Sequence, residues 1–252
     1  MNGQTRARSC ASTCGAEPHV RSAAIARSER LAHVARSVRR LACVAGLLLV
    51  LVSAGAMAPF NVAAAQTGAS VNDVMDRAVS DFFAARIPEA VAGFDRVAAM
   101  APRSAPELWQ RGIALYYAGR YRDCRAQFES HRTVNPADVE NAAWHFLCVA
   151  RAESPQRALA ALLPVGPDSR EPMREIYQMF QGRMTVESVL VAGGSEPRAR
   201  FYANLYVGLY REATGGDAEF YIRQAASDQF AGAAGYMHRV AVVHARLRGW
   251  MK

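Results

Sequence analysis

Few side chains in this chain are spaced for chemistry. His145 and Cys148 stand three residues apart and would share a helix face, the geometry that offers two ligands to zinc. No second pair stands nearby, so the spacing reads as part of a core. His238 and His244 are six apart, which places them on different sides of a helix. His19, His33 and His131 stand alone. Glu171 and Glu175 lie one helical turn apart in the manner of a solvated face. Either Glu175 or Glu212 could act as the acid of an all-helical glycan hydrolase, a chemistry that also needs a second positioned acid or a metal. The stretches "VAGGSEP" and "ATGGDAE" lack the glycine spacing and the Lys-Ser/Thr ending that cradle phosphate, and read as helix stops. No catalytic residue and no cofactor is assigned.

The remaining candidates depend on compartment. "RRLACVAGLLLVLVSAGAMA", residues 39 to 58, is a positive flank followed by an uncharged apolar run, and Ala63-Ala64-Ala65 precedes Gln66. That order predicts a secretory signal peptide cleaved after Ala65, hence export to the periplasm. The alternative is an uncleaved inner-membrane anchor over residues 41 to 65, a run long enough to cross a bilayer. Cys10, Cys14 and Cys43 go with this leader. Cys124 and Cys148 remain, a pair that permits one disulfide in an oxidising compartment, or else two small core residues on neighbouring helices. The leader also carries the charge. Eight arginines against Glu17 and Glu29 give it +6, leaving +2 of the formal +8 for the rest. Without a cationic stripe downstream, nucleic acid is excluded as a partner.

The elements that must position these residues are helices. Alanine is abundant and alternating β-branched runs are scarce, which predicts an all-α fold. "ARIPEAVAGFDRVAAMAP" (85 to 102) and "GRYRDCRAQFESHRTVNP" (119 to 136) match at an offset of 34 residues: Arg86 with Arg120, Ala90 with Cys124, Phe94 with Phe128 and Pro102 with Pro136. Ala158 and Leu162 continue the register after Cys124 and Phe128. Such a period marks stacked helix pairs, because one unit cannot bury its apolar face alone. The units are 71 to 104, 105 to 138, 139 to 170, a degenerate 171 to 197, and 198 to 228, followed by a closing helix over 229 to 252.

This pattern of A-x3-F followed by a proline, with Leu108, Gly112 and Leu115 before it in the second unit, resembles the tetratricopeptide repeat family. The resemblance implies a right-handed α-α superhelix of about five helical pairs whose first helices line a concave side. The groove positions are then Met75, Val79, Phe82 and Phe83; Trp109, Ile113, Tyr116 and Tyr117; and Trp144, Leu147 and Arg151. This face is aromatic, and Trp, Tyr and Arg are common interface anchors. The same aromatics could instead pack between helices, or the chain's own leader-proximal segment or closing helix could fill the groove. One branch of the family clamps a peptide's terminal carboxylates with Lys, Asn and Arg. The matching positions here hold Met75, Val79, Gln110, Glu140 and Trp144, which implies an apolar or aromatic ligand. The expectation is a non-catalytic scaffold for another envelope protein or peptide, with self-association through the closing helix as a further possibility. Arg120, Arg122 and Arg125 cluster around Asp123 and read as a solvated rim.

Overall fold

Helix α1 (Val71–Phe83) begins at a capping box, in which the Asp73 amide donates to Ser70 Oγ (3.2 Å) and the Ser70 amide donates to Asp73 Oδ2 (3.0 Å). The computed structural model describes residues 69–251. The expected signal peptide or anchor, the cleavage after Ala65, and Cys10, Cys14 and Cys43 lie outside those residues. Every regular element among the described residues is helical, and none of their helices is long and apolar enough to cross a membrane.

The 34-residue recurrence has a local cause in how each first helix ends. Ala85 (φ 59°) and Gly119 (φ 72°) are equivalent positions, and both take the left-handed conformation that terminates a helix. The next amide then closes the end. Arg86 N–H donates to the Asp81 carbonyl (2.9 Å), and Arg120 N–H donates to the Leu115 carbonyl (3.0 Å). Gly182 (φ 70°) ends a later helix in the same way, with Arg183 N–H donating to the Gln178 carbonyl (2.9 Å). Ala85 does this with a Cβ, at a cost of about 1 kcal/mol relative to glycine.

Each turn folds a second helix onto the first. Helix α2 (Ile87–Met100) packs on α1, and α4 (Tyr121–His131) packs on α3 (Trp109–Tyr117). A 3-10 turn, Pro102–Glu107, links the two pairs. The small residues sit where the helices touch. A Cβ on Gly93 would come within 2.7 Å of the Ala78 Cβ, and one on Gly112 within 2.7 Å of the Phe128 ring. Ala78 and Gly112 are themselves 34 apart, so the repeat preserves a close approach as well as an apolar pattern.

The third pair is α5 (Val139–Ala152) with a short α6 (Pro155–Ala160). Leu162, expected on that second helix, lies beyond its end and is half-buried. Pro164, Gly166 and Pro167 follow, a composition that cannot continue a helix. Cys124 on α4 and Cys148 on α5 form a disulfide with their Cα atoms 5.9 Å apart. Of the two readings open in the sequence, the bridge is the one observed, and both residues are also buried core.

Helices α7 (Met173–Phe180) and α8 (Val186–Ala192) form the degenerate unit, with Gly193 and Gly194 at its end as expected. Helix α9 (Pro197–Ala213) turns at Gly215 into α10 (Glu219–Ala225), and Gly208 meets Ile222 as closely as Gly112 meets Phe128. After a 3-10 turn, Asp228–Phe230, the chain enters α11 (Ala231–Leu247). Gly235 interrupts α11 (φ 50°, ψ −116°), so its regular part begins at Tyr236. This helix does not simply extend the series. It packs on α9 and α10 and also reaches α1, far earlier in the chain.

Candidate functional site

The regular part of α11 carries Tyr236, Val240 and His244 at four-residue intervals, hence on one face. Tyr236 presses its ring against Phe83 (centroids 4.6 Å apart) and Trp109 (4.8 Å), with Phe82 at 6.4 Å. The Arg239 guanidinium lies 3.5 Å over the Phe83 ring centroid, a cation–π contact from the same helix.

One step further along, His244 is wholly enclosed. Tyr117 OH is 3.0 Å from its Nδ1, and Glu212 Oε2 is 2.9 Å from its Nε2. A neutral ring suits the Tyr117 hydroxyl, which can donate to Nδ1, while Nε2 and Glu212 Oε2 are close without meeting hydrogen-bond geometry. Burial, opposed by Glu212, lowers the pKa of His244 and favours that neutral form. Arg248 Nε donates to Glu212 Oε1 at 2.6 Å. Burial raises the pKa of Glu212, but the contacts from His244 and Arg248 outweigh it and hold the carboxyl at about 2. Arg248 supplies a permanent counter-charge to this carboxylate. Tyr117, Glu212, His244 and Arg248 therefore fasten the closing helix to α3 and α9.

What α11 leaves uncovered is a cavity of about 400 Å³, partly open to solvent. Trp109, Ile113, Phe128, Trp144 and Tyr236 line it with apolar surface. Trp109 and Tyr236 meet at 74°, so they form a corner and not a flat wall. Polar residues border the same space, although the atoms left unpartnered there have almost no surface open to it. His131, Asn141 and Trp144 line it and are almost wholly buried, yet His131 Nε2, Asn141 Oδ1 and Trp144 Nε1 have no hydrogen-bond partner among the described residues. His131 Nδ1 lies 2.8 Å from the Pro106 carbonyl, an acceptor, so Nδ1 carries a proton.

Three carboxylates, Glu107, Asp138 and Glu140, border the cavity. Two are braced from behind by Arg170, which donates to Asp138 (2.6 Å), to Glu140 (2.5 Å) and to Asp168 (2.6 Å). Tyr206 OH donates to the second Glu140 oxygen at 2.6 Å. Burial and the neighbouring Asp138 push the pKa of Glu140 up, against the pull of Arg170 and Tyr206. The brace ties α5 to α9 beside the cavity.

Of the groove residues expected from sequence, Trp109, Ile113 and Trp144 line this cavity. Phe82, Phe83, Tyr116 and Leu147 are buried within the chain, and Met75, Val79 and Tyr117 are half-buried against the core. Arg151 is exposed and lies in a separate surface depression beside Arg120, where its Nε donates to Tyr121 OH at 3.3 Å. The closing helix thus covers part of the aromatic face expected as a groove, one of the alternatives that the sequence left open. His131, Asn141, Tyr202 and Tyr236 were not singled out as binding residues. The four-residue stripe Tyr236-Val240-His244 was the available signal for the last of them.

The other candidates are taken up by structure. Cys148 is bridged to Cys124, and His145 Nε2 sits 3.3 Å from Glu129, so the two do not form a ligand pair. No group of three potential metal ligands occurs among the described residues. Glu175 is buried and paired with Arg174. Glu212, held ionised, has the opposite of the raised pKa that a general acid needs. Arg120 pairs with Asp95 and Asp123, and Arg125 with Glu129 and Glu153, as a rim of ion pairs. No family model matches the chain, and a search of curated proteins finds no match.

Proposed function

We propose that this chain is an exported, non-catalytic interaction module, built as a tetratricopeptide-like right-handed superhelix, that docks a segment of another envelope protein in the cavity beneath its closing helix. The observation that carries this reading is the cavity itself. It joins an aromatic corner, Trp109 against Tyr236, to the polar side chains of Glu107, Asn135 and Asp138. A mostly apolar concavity of about 400 Å³ with a few convergent polar groups suits one or two residues of a partner, not a long helix. Support for the superhelix comes from the order of packing, α1 on α2, α3 on α4 and α5 on α6, with α2 against α3 and α4 against α5. The leader supports export.

A photo-reactive side chain at Ala234, on the cavity wall, should cross-link a discrete envelope protein in cells. One at Phe220, which is exposed but does not line the cavity, should not. Equal labelling from both positions, or none from Ala234, would contradict the reading.

A further inference from the structure

We infer that the cavity is formed only in the oxidised chain: the Cys124–Cys148 bridge sets the register of two of its walls, α4 and α5, and the dithiol form leaves them out of register. This concerns how the cavity is made, whatever enters it. Along α4, Cys124, Phe128 and His131 are separated by steps of four and three residues. Read backwards along α5, Cys148, Trp144 and Asn141 repeat those steps. Such steps keep each set on one face of its helix, so the two sets form a ladder across the packed pair. The disulfide is its first rung, with Cα atoms 5.9 Å apart. The Phe128 ring stacked on Trp144 is the second, with centroids 6.4 Å apart and planes 17° from parallel. Phe128, His131, Trp144 and Asn141 all line the cavity, so a slip of one helix along the other displaces its lining.

The preceding seam of the repeat reveals what the bridge adds. The residues 34 positions before the two cysteines are Ala90 and Ala114, both wholly buried, and α2 packs on α3 there with no covalent tie. Phe94 precedes Phe128 by the same offset, but Gln110 stands where the bridged seam has Trp144. Stacking in this register therefore needs only small residues. The bridged seam differs in bordering empty space, where the atoms that would hold a helix in place by contact are missing. Another tie across it, Arg125 to Glu153 at 3.3 Å, is open to solvent at both ends, and such pairs contribute little. The bridge, between residues 24 apart in sequence, supplies the constraint that packing lacks. Its formation is an oxidation. Two thiols give up two protons and two electrons, an Sγ–Sγ bond forms, and a disulfide-bearing oxidant is left as two thiols. Both cysteines are wholly buried, so a dissolved reagent reaches them only when the seam opens. The oxidising step thus belongs to the folding of the chain, and a chain folded as the dithiol keeps its helix pairs without the cavity.

The double variant Cys124→Ala/Cys148→Ala installs the residues that the preceding seam already uses, and is compared with the bridged full chain and with the chain refolded in excess dithiothreitol. In nuclear magnetic resonance spectra, the cross-peak between the Phe128 and Trp144 rings should be lost in both unbridged forms, and the Trp144 indole N–H should shift. The cross-peak between Phe201 and Phe230, rings 6.0 Å apart on other elements, and the helical circular dichroism should be unchanged. Phenylalaninamide, a small probe whose ring suits the aromatic lining, should move the Trp109 and Trp144 signals of the bridged chain only. A Phe128–Trp144 cross-peak that survives in the alanine pair would mean that the bridge does not set the walls. Loss of the Phe201–Phe230 cross-peak with it would mean that the bridge supports the whole fold and not this cavity. Either result overturns the inference. A bridged chain indifferent to phenylalaninamide counts against docking, while the cross-peaks still decide the role of the bridge.

Discussion

Replacing Glu212 with glutamine is expected to cost about 3 kcal/mol of stability, because it leaves Arg248 partly buried without its counter-charge beside an enclosed His244. The pH dependence identifies the cause. The folded pKa of about 2 lies below the ordinary 4.5 of this carboxyl. A depressed acid contributes stability that is fully present above the unfolded pKa and is lost as pH falls toward the folded one. The wild-type chain should therefore weaken between pH 4.5 and about 2, and Glu212→Gln should flatten that limb. His244 works in the same direction at higher pH. Its pKa is lowered from 6.5 by burial, so the unfolded chain takes up a proton below 6.5 before the folded one does. Urea unfolding followed by circular dichroism across this range measures both limbs. An unchanged midpoint in Glu212→Gln would mean that the buried pair does not hold α11.

Tyr236→Ala should be comparably damaging. It deletes the ring that packs on Phe83 and Trp109, a truncation that typically costs about 3 kcal/mol or more, and it uncovers aromatic surface on α1. The variant should also bind a hydrophobic dye that the parent ignores. Tyr236→Phe provides the contrast. The Tyr236 hydroxyl is buried with no partner among the described residues, so removing it should leave stability unchanged or raise it by about 1 kcal/mol. If the phenylalanine variant is as unstable as the alanine one, the ring packing described here is not what holds the helix.

The parts of this structure that were legible in the sequence are those set within about one repeat. The turn at Gly119, the stop at Gly193, the small residue Gly112 and the buried Phe94 and Phe128 each follow from neighbours that the 34-residue spacing brings together. Ala85 shows the limit even there, since nothing in an alanine announces a positive φ. The return of α11 onto α1 was only an open alternative, because it joins Tyr236 to Phe82 and Phe83 across most of the described chain. Periodicity says which face of a helix is apolar but not which distant helix it meets. The same holds for the polar lining. His131 and Asn141 lie on different helices, carry no shared spacing, and come to border one cavity only once α4 and α5 have packed.

The chain has three tryptophans, and their indole N–H resonances provide the most direct test that the space beneath the closing helix is where a ligand sits. Trp109 and Trp144 line that space, whereas Trp250 packs against His244 and does not line it. On titration of the isotope-labelled protein with phenylalaninamide, the Trp109 and Trp144 indole signals should move together and saturate, with Trp250 unmoved. Movement of Trp250 alone, or of none of the three, would contradict the account.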